Sequence, residues 1–220
     1  DTDRSRGLGD VYKRQDQEYT DRATKDFEAH GVHFAFGQRA TAFENTDDGV
    51  VVKTNGGNYE ADMAILCIGF RPNTDLFKGQ LDFNEDGSIK TNAYMQTSDP
   101  DVYGAGDSVA VNFNPTDTEA YVPLATNAIR QGTIAAINLF GNGMTYMGTQ
   151  STSGIELYGR SMAATGLTLA DAKEAGFDAD AVTFEDNYRP EFMPDEEKIM
   201  GTVVWDRRNT RLLGAQFMSN

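Results

Sequence analysis

Residues 101–107 read DVYGAGD, and residues 122–132 read VPLATNAIRQG. The first stretch predicts a short apolar strand that ends on Gly106 and Asp107, and the second predicts the start of a helix. A carboxylate directly after a buried strand, beside a glycine that allows close approach, suits a sugar hydroxyl. A helix N-terminus nearby offers unpaired N–H groups and partial positive charge to an electron-rich ring. Together the two stretches predict one wall of a flavin site.

Composition narrows the classes of function. The chain has 220 residues, a formal net charge of −15 and one cysteine. The negative charge repels nucleic acid and anionic membrane surfaces, so neither is expected as a partner. A single cysteine excludes an internal disulfide framework and a site built from several cysteines. No apolar run is long enough to span a bilayer and no secretory signal begins the chain, so we expect a cytoplasmic protein.

The first residues differ from the rest. Residues 1–15 are rich in charge and lack a regular apolar period, and the chain does not begin with Met. We therefore expect a non-native or disordered leader and leave these residues out of the fold prediction.

Residues 16–70 predict a helix followed by strands. Thr20 is expected to cap a helix that runs to His30, and residues 49–62 predict a hairpin. Further strands are predicted at residues 32–36 and 40–44, and the apolar run 63–68 predicts a central strand buried on both faces. The lone Cys67 lies in this run and is expected to be a buried structural thiol. This order is that of the second half of a nucleotide-binding α/β domain.

The remainder predicts a helix and a smaller sheet. Residues 126–140 predict a helix with an apolar side formed by Ala128, Ile129, Ala135, Ala136 and Leu139. Beyond residue 149, a short helix capped by Thr168 lies among strand-like runs, which indicates a separate α+β unit. Strands are predicted at residues 153–158, 181–185, 199–205 and 211–217.

Several stretches, in this order, resemble motifs of the two-dinucleotide flavoprotein reductases. Residues 67–74 (CIGFRPNT) resemble the element that joins the NAD-binding domain to the FAD domain, and residues 101–107 resemble the second FAD motif. Residues 123–128 resemble the segment that, in the NADH oxidase and NADH peroxidase branch, leads backbone amides to the flavin pyrimidine edge. Residues 166–169, 186–194 and 213–216 are similar to the C-terminal dimerisation domain of water-forming NADH oxidases.

The resemblance implies FAD and NADH as cofactors and a set of binding residues. Asp107 with Gly106 is expected at the ribityl chain, and the amides of Leu124, Ala125 and Thr126 at the pyrimidine edge. Gly69 is expected on the nicotinamide side. Each has a plainer interpretation, because Asp107 could cap a turn, the helix start could be packed structure, and Gly69 could form a strand exit.

No catalytic or metal-binding residue is assigned. The redox cysteine and histidine of the family belong to an N-terminal segment that is not in this sequence. His30 and His33 have no partners at metal spacing, so no metal site is expected.

The predicted fold class is α/β, a partial two-dinucleotide-binding flavoprotein followed by an α+β dimerisation domain. The expected domains are half of the NAD(H)-binding domain at 16–70, an FAD-binding segment at 71–148 and a partial dimerisation domain at 149–220. The predicted function is that of a fragment of a homodimeric, FAD-dependent NADH oxidase that reduces O₂ to water. NADH peroxidase and coenzyme A disulfide reductase remain alternatives, and for these residues alone so does a non-catalytic dimerisation module.

Overall fold

A computed structural model describes residues 15–69, 71–141, 143–194 and 196–219. The chain divides after Gly69 into two compact units, which are treated separately below. Apart from Gln15, the predicted leader lies outside the described residues.

Among its described residues, the first unit contains one helix and a three-stranded antiparallel sheet whose strands pair in chain order. The helix buries Tyr19, Ala23 and Phe27, which recur every four residues and therefore share one face. The predicted strand at 40–44 and the predicted hairpin are confirmed. The elements are α1 (Gln17–Ala29), β1 (Ala40–Thr46), β2 (Gly49–Thr54) and β3 (Asn58–Ala61).

The predicted buried strand at residues 63–68 is wrong. These residues form no strand, and the side chain of Ile65 is 77% exposed. A central strand needs hydrogen-bonded neighbours on both sides, and none of the three strands described in this unit pairs with the run. Cys67 is consequently exposed rather than buried.

Two local predictions in the first unit are also wrong. Residues 32–36 form no strand. Phe34 and Phe36 instead stack with their ring centroids 4.9 Å apart, so their alternation reflects aromatic packing. Thr20 does not cap α1, because the helix begins earlier, after Asp16, and the Thr20 hydroxyl donates to the carbonyl of Gln17 within the first turn.

The second unit combines a loop-rich part with a five-stranded antiparallel sheet in the order β6-β7-β10-β9-β8. The predicted strands of this sheet are confirmed, while β7 and the small hairpin of β4 and β5 were not predicted. The elements are a 3₁₀ turn (Asp75–Phe77), β4 (Val111–Phe113), β5 (Thr118–Ala120), α2 (Ala125–Asn138), β6 (Ser153–Leu157), β7 (Arg160–Gly166), α3 (Leu169–Glu174), β8 (Ala179–Asn187), β9 (Lys198–Asp206) and β10 (Leu212–Ser219).

The helix α3 packs on one end of this sheet. The hydroxyl of Thr168 accepts a hydrogen bond from the amide of Asp171 at 3.1 Å, which confirms the predicted cap. Ala172 of α3 is fully buried in a cluster with Val204 of β9 and Leu213 of β10. This cluster lies at the end of the sheet where β7 ends and β10 begins.

A close approach of two backbones fixes that end of the sheet. A Cβ added at Gly214 would lie 2.0 Å from the carbonyl oxygen of Leu167, and one at Gly166 would lie 2.1 Å from that of Leu213. Glycine is therefore required at both positions.

We expect Gly214→Ala to destabilise the protein by about 3 kcal/mol, because the new methyl cannot avoid the backbone of Leu167. Gly132→Ala is the matched control, since Gly132 lies in α2 with no atom within 4 Å of an added Cβ. There the substitution should stabilise by about 0.5–1 kcal/mol through helix propensity. Urea unfolding of both variants measures the difference, and equal effects would contradict the assigned contact.

Candidate functional site

The Gly-Asp turn, residues 106 and 107, lies in a folded loop rather than at the end of a regular strand. The predicted strand at residues 101–105 is wrong, since only an isolated bridge joins Tyr103 to Gln96. Gly106 has a φ of 77°, in the left-handed region that favours glycine. Its carbonyl accepts from the amide of Val109 at 3.2 Å, so the chain reverses directly after Asp107. The carboxylate of Asp107 is left exposed.

The start of α2 is open. Leu124 occupies the position before the helix with extended backbone angles, and its side chain cannot cap the helix. Its carbonyl accepts the first helical bond, from the amide of Ala128 at 2.9 Å. The amides of the first turn have no partner within the helix by geometry. Because Ala125 and Thr126 are exposed, this turn presents its N–H groups and the positive end of the helix dipole to the surroundings.

The buried side of α2 is polar. The predicted apolar side is wrong at Ile129, which is 71% exposed, and at Leu139, which is 62% exposed, whereas Ala135 packs against the core as predicted. The helix instead buries Ile134 and three amide side chains. The four buried residues are spaced four, three and four positions apart, so they share one side of the helix. We call these three, Asn127, Gln131 and Asn138, the buried amide face.

Each member of the buried amide face bonds to backbone outside the helix. Asn127 donates to the carbonyl of Val122 at 3.2 Å, and Asn138 donates to the carbonyl of Tyr94 at 2.8 Å. Gln131 accepts from the amide of Gly106 at 2.6 Å. Polar groups removed from water need such partners, so these bonds determine which side of the helix faces the loop.

Two side chains hold the Gly-Asp turn beside α2. The amide of Gly106 donates to Gln131, and a Cβ added at Gly106 would lie 3.6 Å from the Cβ of Ala128. The hydroxyl of Tyr121 donates to the carbonyl oxygen of Asp107 at 2.9 Å. The turn and the first part of the helix are therefore adjacent, as the sequence predicts. Sequence reasoning did not assign Gln131 or Tyr121, although polar residues at helical spacing could have indicated the buried amide face.

The burial of Tyr121 and the negative charges around it change the pKa of its phenol. Burial raises the pKa of the Tyr121 phenol above its ordinary value of 10.0, and the negative charges of Asp107 and then Asp86 raise it further. The phenol therefore remains a hydrogen-bond donor throughout the neutral range. Burial also raises the pKa of Tyr146, in the core behind the helix.

The remaining predicted site residue, Gly69, belongs to the first unit. It has a φ of 86°, so glycine suits this position after the exposed run. The structure brings Gly106, Asp107, Leu124, Ala125 and Thr126 together within the second unit, whereas Gly69 belongs to the first unit.

The described residues contain no group of three or more His, Cys, Asp or Glu side chains that could hold a metal ion. Within the same residues, no helix is both long and apolar enough to cross a membrane.

The fold is that of an α/β protein with an appended antiparallel α+β sheet. The chain belongs to the pyridine nucleotide-disulphide oxidoreductase family, whose model matches residues 7–132. The dimerisation domain of the same family matches residues 158–220. These matches confirm the family resemblance and the fold class predicted from the sequence.

Individual relatives show which members of this family the chain resembles. The chain is 46% identical to an NADH oxidase of Enterococcus faecalis, over 94% of this chain and 47% of that protein. It is 31% identical to a CoA-dependent NAD(P)H sulfur oxidoreductase of Pyrococcus furiosus, over 93% of this chain and 46% of that protein. The water-forming NADH oxidase from Lactobacillus brevis, solved with NADH bound, is 48% identical with a TM-score of 0.90, over 98% of this chain and 47% of that one. The chain thus spans about half the length of these relatives.

We expect Tyr121→Phe to reduce stability at neutral pH by about 0.5 kcal/mol, the loss of one partly exposed hydrogen bond. Because the pKa of Tyr121 is raised in the folded state, its contribution is complete below pH 10.0 and is lost as the pH rises through the folded pKa. The variant should therefore lose stability less steeply than the wild type above pH 10.0. Urea unfolding at several alkaline pH values measures both slopes, and identical slopes would contradict the assignment.

Proposed function

We propose that this protein acts as an FAD-dependent NADH oxidase that passes hydride equivalents from NADH through FAD to O₂ and forms water. The observation that carries the proposal is the Gly-Asp turn held beside the open start of α2. Similarity to NADH oxidases over nearly the whole chain supports it. A cytoplasmic location is part of the same proposal.

Asp107 suits a sugar-like chain. An ionised carboxylate only accepts hydrogen bonds, and the hydroxyls of a ribityl chain donate them. The carboxylate is exposed, while its own backbone carbonyl is already bonded to Tyr121. The side chain therefore stays available to a ligand, and Gly106 keeps the backbone beside it free of a Cβ.

The start of α2 suits the pyrimidine edge of a flavin. The amides that follow Leu124 have no side-chain cap, and Ala125 and Thr126 are exposed. Such N–H groups stabilise negative charge without any reorganisation. We assign them to the N1–C2=O edge of the ring, where charge accumulates on reduction.

When bound, the flavin would supply the acceptor for hydride and the donor of electrons to oxygen. The residues described above would orient it through Asp107 and neutralise charge through the α2 amides. Gly69 would admit the nicotinamide side to the backbone. No catalytic residue is assigned within this chain, and Cys67 receives no redox role.

A homodimer is the proposed assembly, on the match to the family's dimerisation domain. Exposed apolar side chains on the sheet, such as Val182 and Phe184, support a contact surface there. A non-catalytic dimerisation module is the second candidate for these 220 residues taken alone, on the same match and on their share of the relatives' length.

Oxygen consumption tests the reaction. The gene product at full length should oxidise about two NADH for each O₂, since reduction of O₂ to water takes four electrons and each hydride carries two. Oxygen uptake and NADH absorbance are measured together, with catalase added as a control for free peroxide. Accumulation of peroxide would contradict the water-forming reaction. NADH oxidation that depends on peroxide or on coenzyme A disulfide, and not on oxygen, would favour the alternatives.

Substitution of Asp107 tests the cofactor site. Asp107→Ala should weaken FAD binding by about ten- to a hundredfold, because ribityl hydroxyls would lose their acceptor. Asp107→Asn keeps one acceptor oxygen and should lose less. Both variants keep the carbonyl that accepts from Tyr121, so the turn is preserved. Asp101→Ala, at another exposed aspartate of the same stretch, is the control. Fluorescence titration with FAD measures affinity, and equal affinities for Asp107→Ala and Asp101→Ala would contradict the assignment.

A further inference from the structure

The Gly-Asp turn is held to α2 from inside the protein by one side chain. The Oε1 atom of Gln131 accepts from the amide of Gly106 at 2.6 Å, and Gln131 is only 2% exposed. Tyr121 holds the opposite side of the turn through the carbonyl of Asp107. The short backbone segment that carries Asp107 is therefore held at both ends.

The bond of Gln131 differs in its target from those of the other buried amides. Asn127 bonds to Val122, in the segment that enters the helix, and Asn138 bonds to Tyr94 and Met144 at the far end of the helix. Only Gln131, among these three, contacts the Gly-Asp turn. Its position in the middle of α2 ties that turn to the helix whose first residues are open.

We propose that Gln131 is a positioning residue for the flavin site, which sets the spacing between the Asp107 carboxylate and the open first turn of α2. The inference rests on the function proposed above. An α-helix is a stiff rod with a rise of about 1.5 Å per residue, so a bond at Gln131 fixes the turn relative to Ala125 and Thr126. One ligand can then contact both the Asp107 carboxylate and the amides at the start of α2 without rearrangement of the protein, which favours binding.

A glutamine at this position meets two requirements. Its acceptor must reach the amide of Gly106 from the helix backbone, and it must do so without placing a charge in a buried site close to Asp107. The amide of Gly106 points at the helix, where an unpaired N–H would be costly. Gln131 thus satisfies the turn and holds it in place.

The first experiment measures the contact without any cofactor. Amide hydrogen exchange, followed by NMR, should show the Gly106 N–H to be protected in the wild-type chain. Gln131→Met removes the acceptor at similar volume and should abolish that protection. Gln131→Glu retains an acceptor oxygen but places a carboxylate in the buried site, so it should restore only part of the protection. Gly132→Ala, at the exposed position next to Gln131 on α2, should leave Gly106 protected. Fast exchange of Gly106 in the wild type would overturn the proposal even if a variant fails to fold.

The second experiment measures the consequence in the full-length gene product by FAD titration. Gln131→Met should weaken FAD binding by about tenfold, Gln131→Glu should recover part of the loss, and Gly132→Ala should bind as tightly as the wild type. Loss of Gly106 protection with unchanged FAD affinity would overturn the positioning role while the flavin function stands. A wild-type protein that binds no FAD would instead overturn the proposed function, and with it the role given to Gln131.

Discussion

The arrangement of the second unit depends on the burial of three amide side chains on one side of α2. A buried amide that lacks a partner costs about 1–3 kcal/mol, because the lost hydrogen bonds to water are not replaced. Asn127, Gln131 and Asn138 each find backbone partners outside the helix. Rotation of α2 about its axis would break all three contacts together. The helix therefore has one acceptable orientation, and its open first turn points in a direction set by its interior.

The far end of the helix supports the same turn by a second route. Asn138 donates to the carbonyls of Tyr94 and Met144 and accepts from the amide of Met144. Next to Tyr94, Met95 is 2% exposed and has a φ of 64°, an uncommon conformation for a non-glycine residue. The carbonyl of Met95 accepts from the amide of Gly104, shortly before the Gly-Asp turn. The loop is thus held at two points by one helix, which explains how an irregular segment keeps a defined shape.

Local signals in the sequence predicted local structure well. The Thr168 cap, the hairpin of β2 and β3 and most strands of the five-stranded sheet depend on residues close in sequence or on simple alternation. The sequence also predicts that Gly106 lies beside α2, as the structure shows. The prediction of a buried strand at residues 63–68 is wrong because the burial of a strand depends on neighbouring strands. The apolar pattern within the run does not reveal whether such neighbours are present. The strand predicted at residues 101–105 is wrong for a related reason. Its apolar residues pack in a loop, and only an isolated bridge joins Tyr103 to Gln96.

The error over α2 has a different origin. The usual rule assigns apolar residues to the buried side of a helix. In α2 and at its end the reverse holds, because Ile129 and Leu139 are exposed while Gln131 is buried. In a loop without regular strands, some buried backbone groups have no backbone partner and bond to side chains instead, as the amide of Gly106 does with Gln131. A helix that packs on such a loop can supply these partners with amides directed inward. The polar residues at helical spacing are then the informative signal, because they indicate that the segment facing the helix is irregular backbone. An irregular backbone held in this way leaves a carboxylate and a helix start exposed side by side, as a binding site requires.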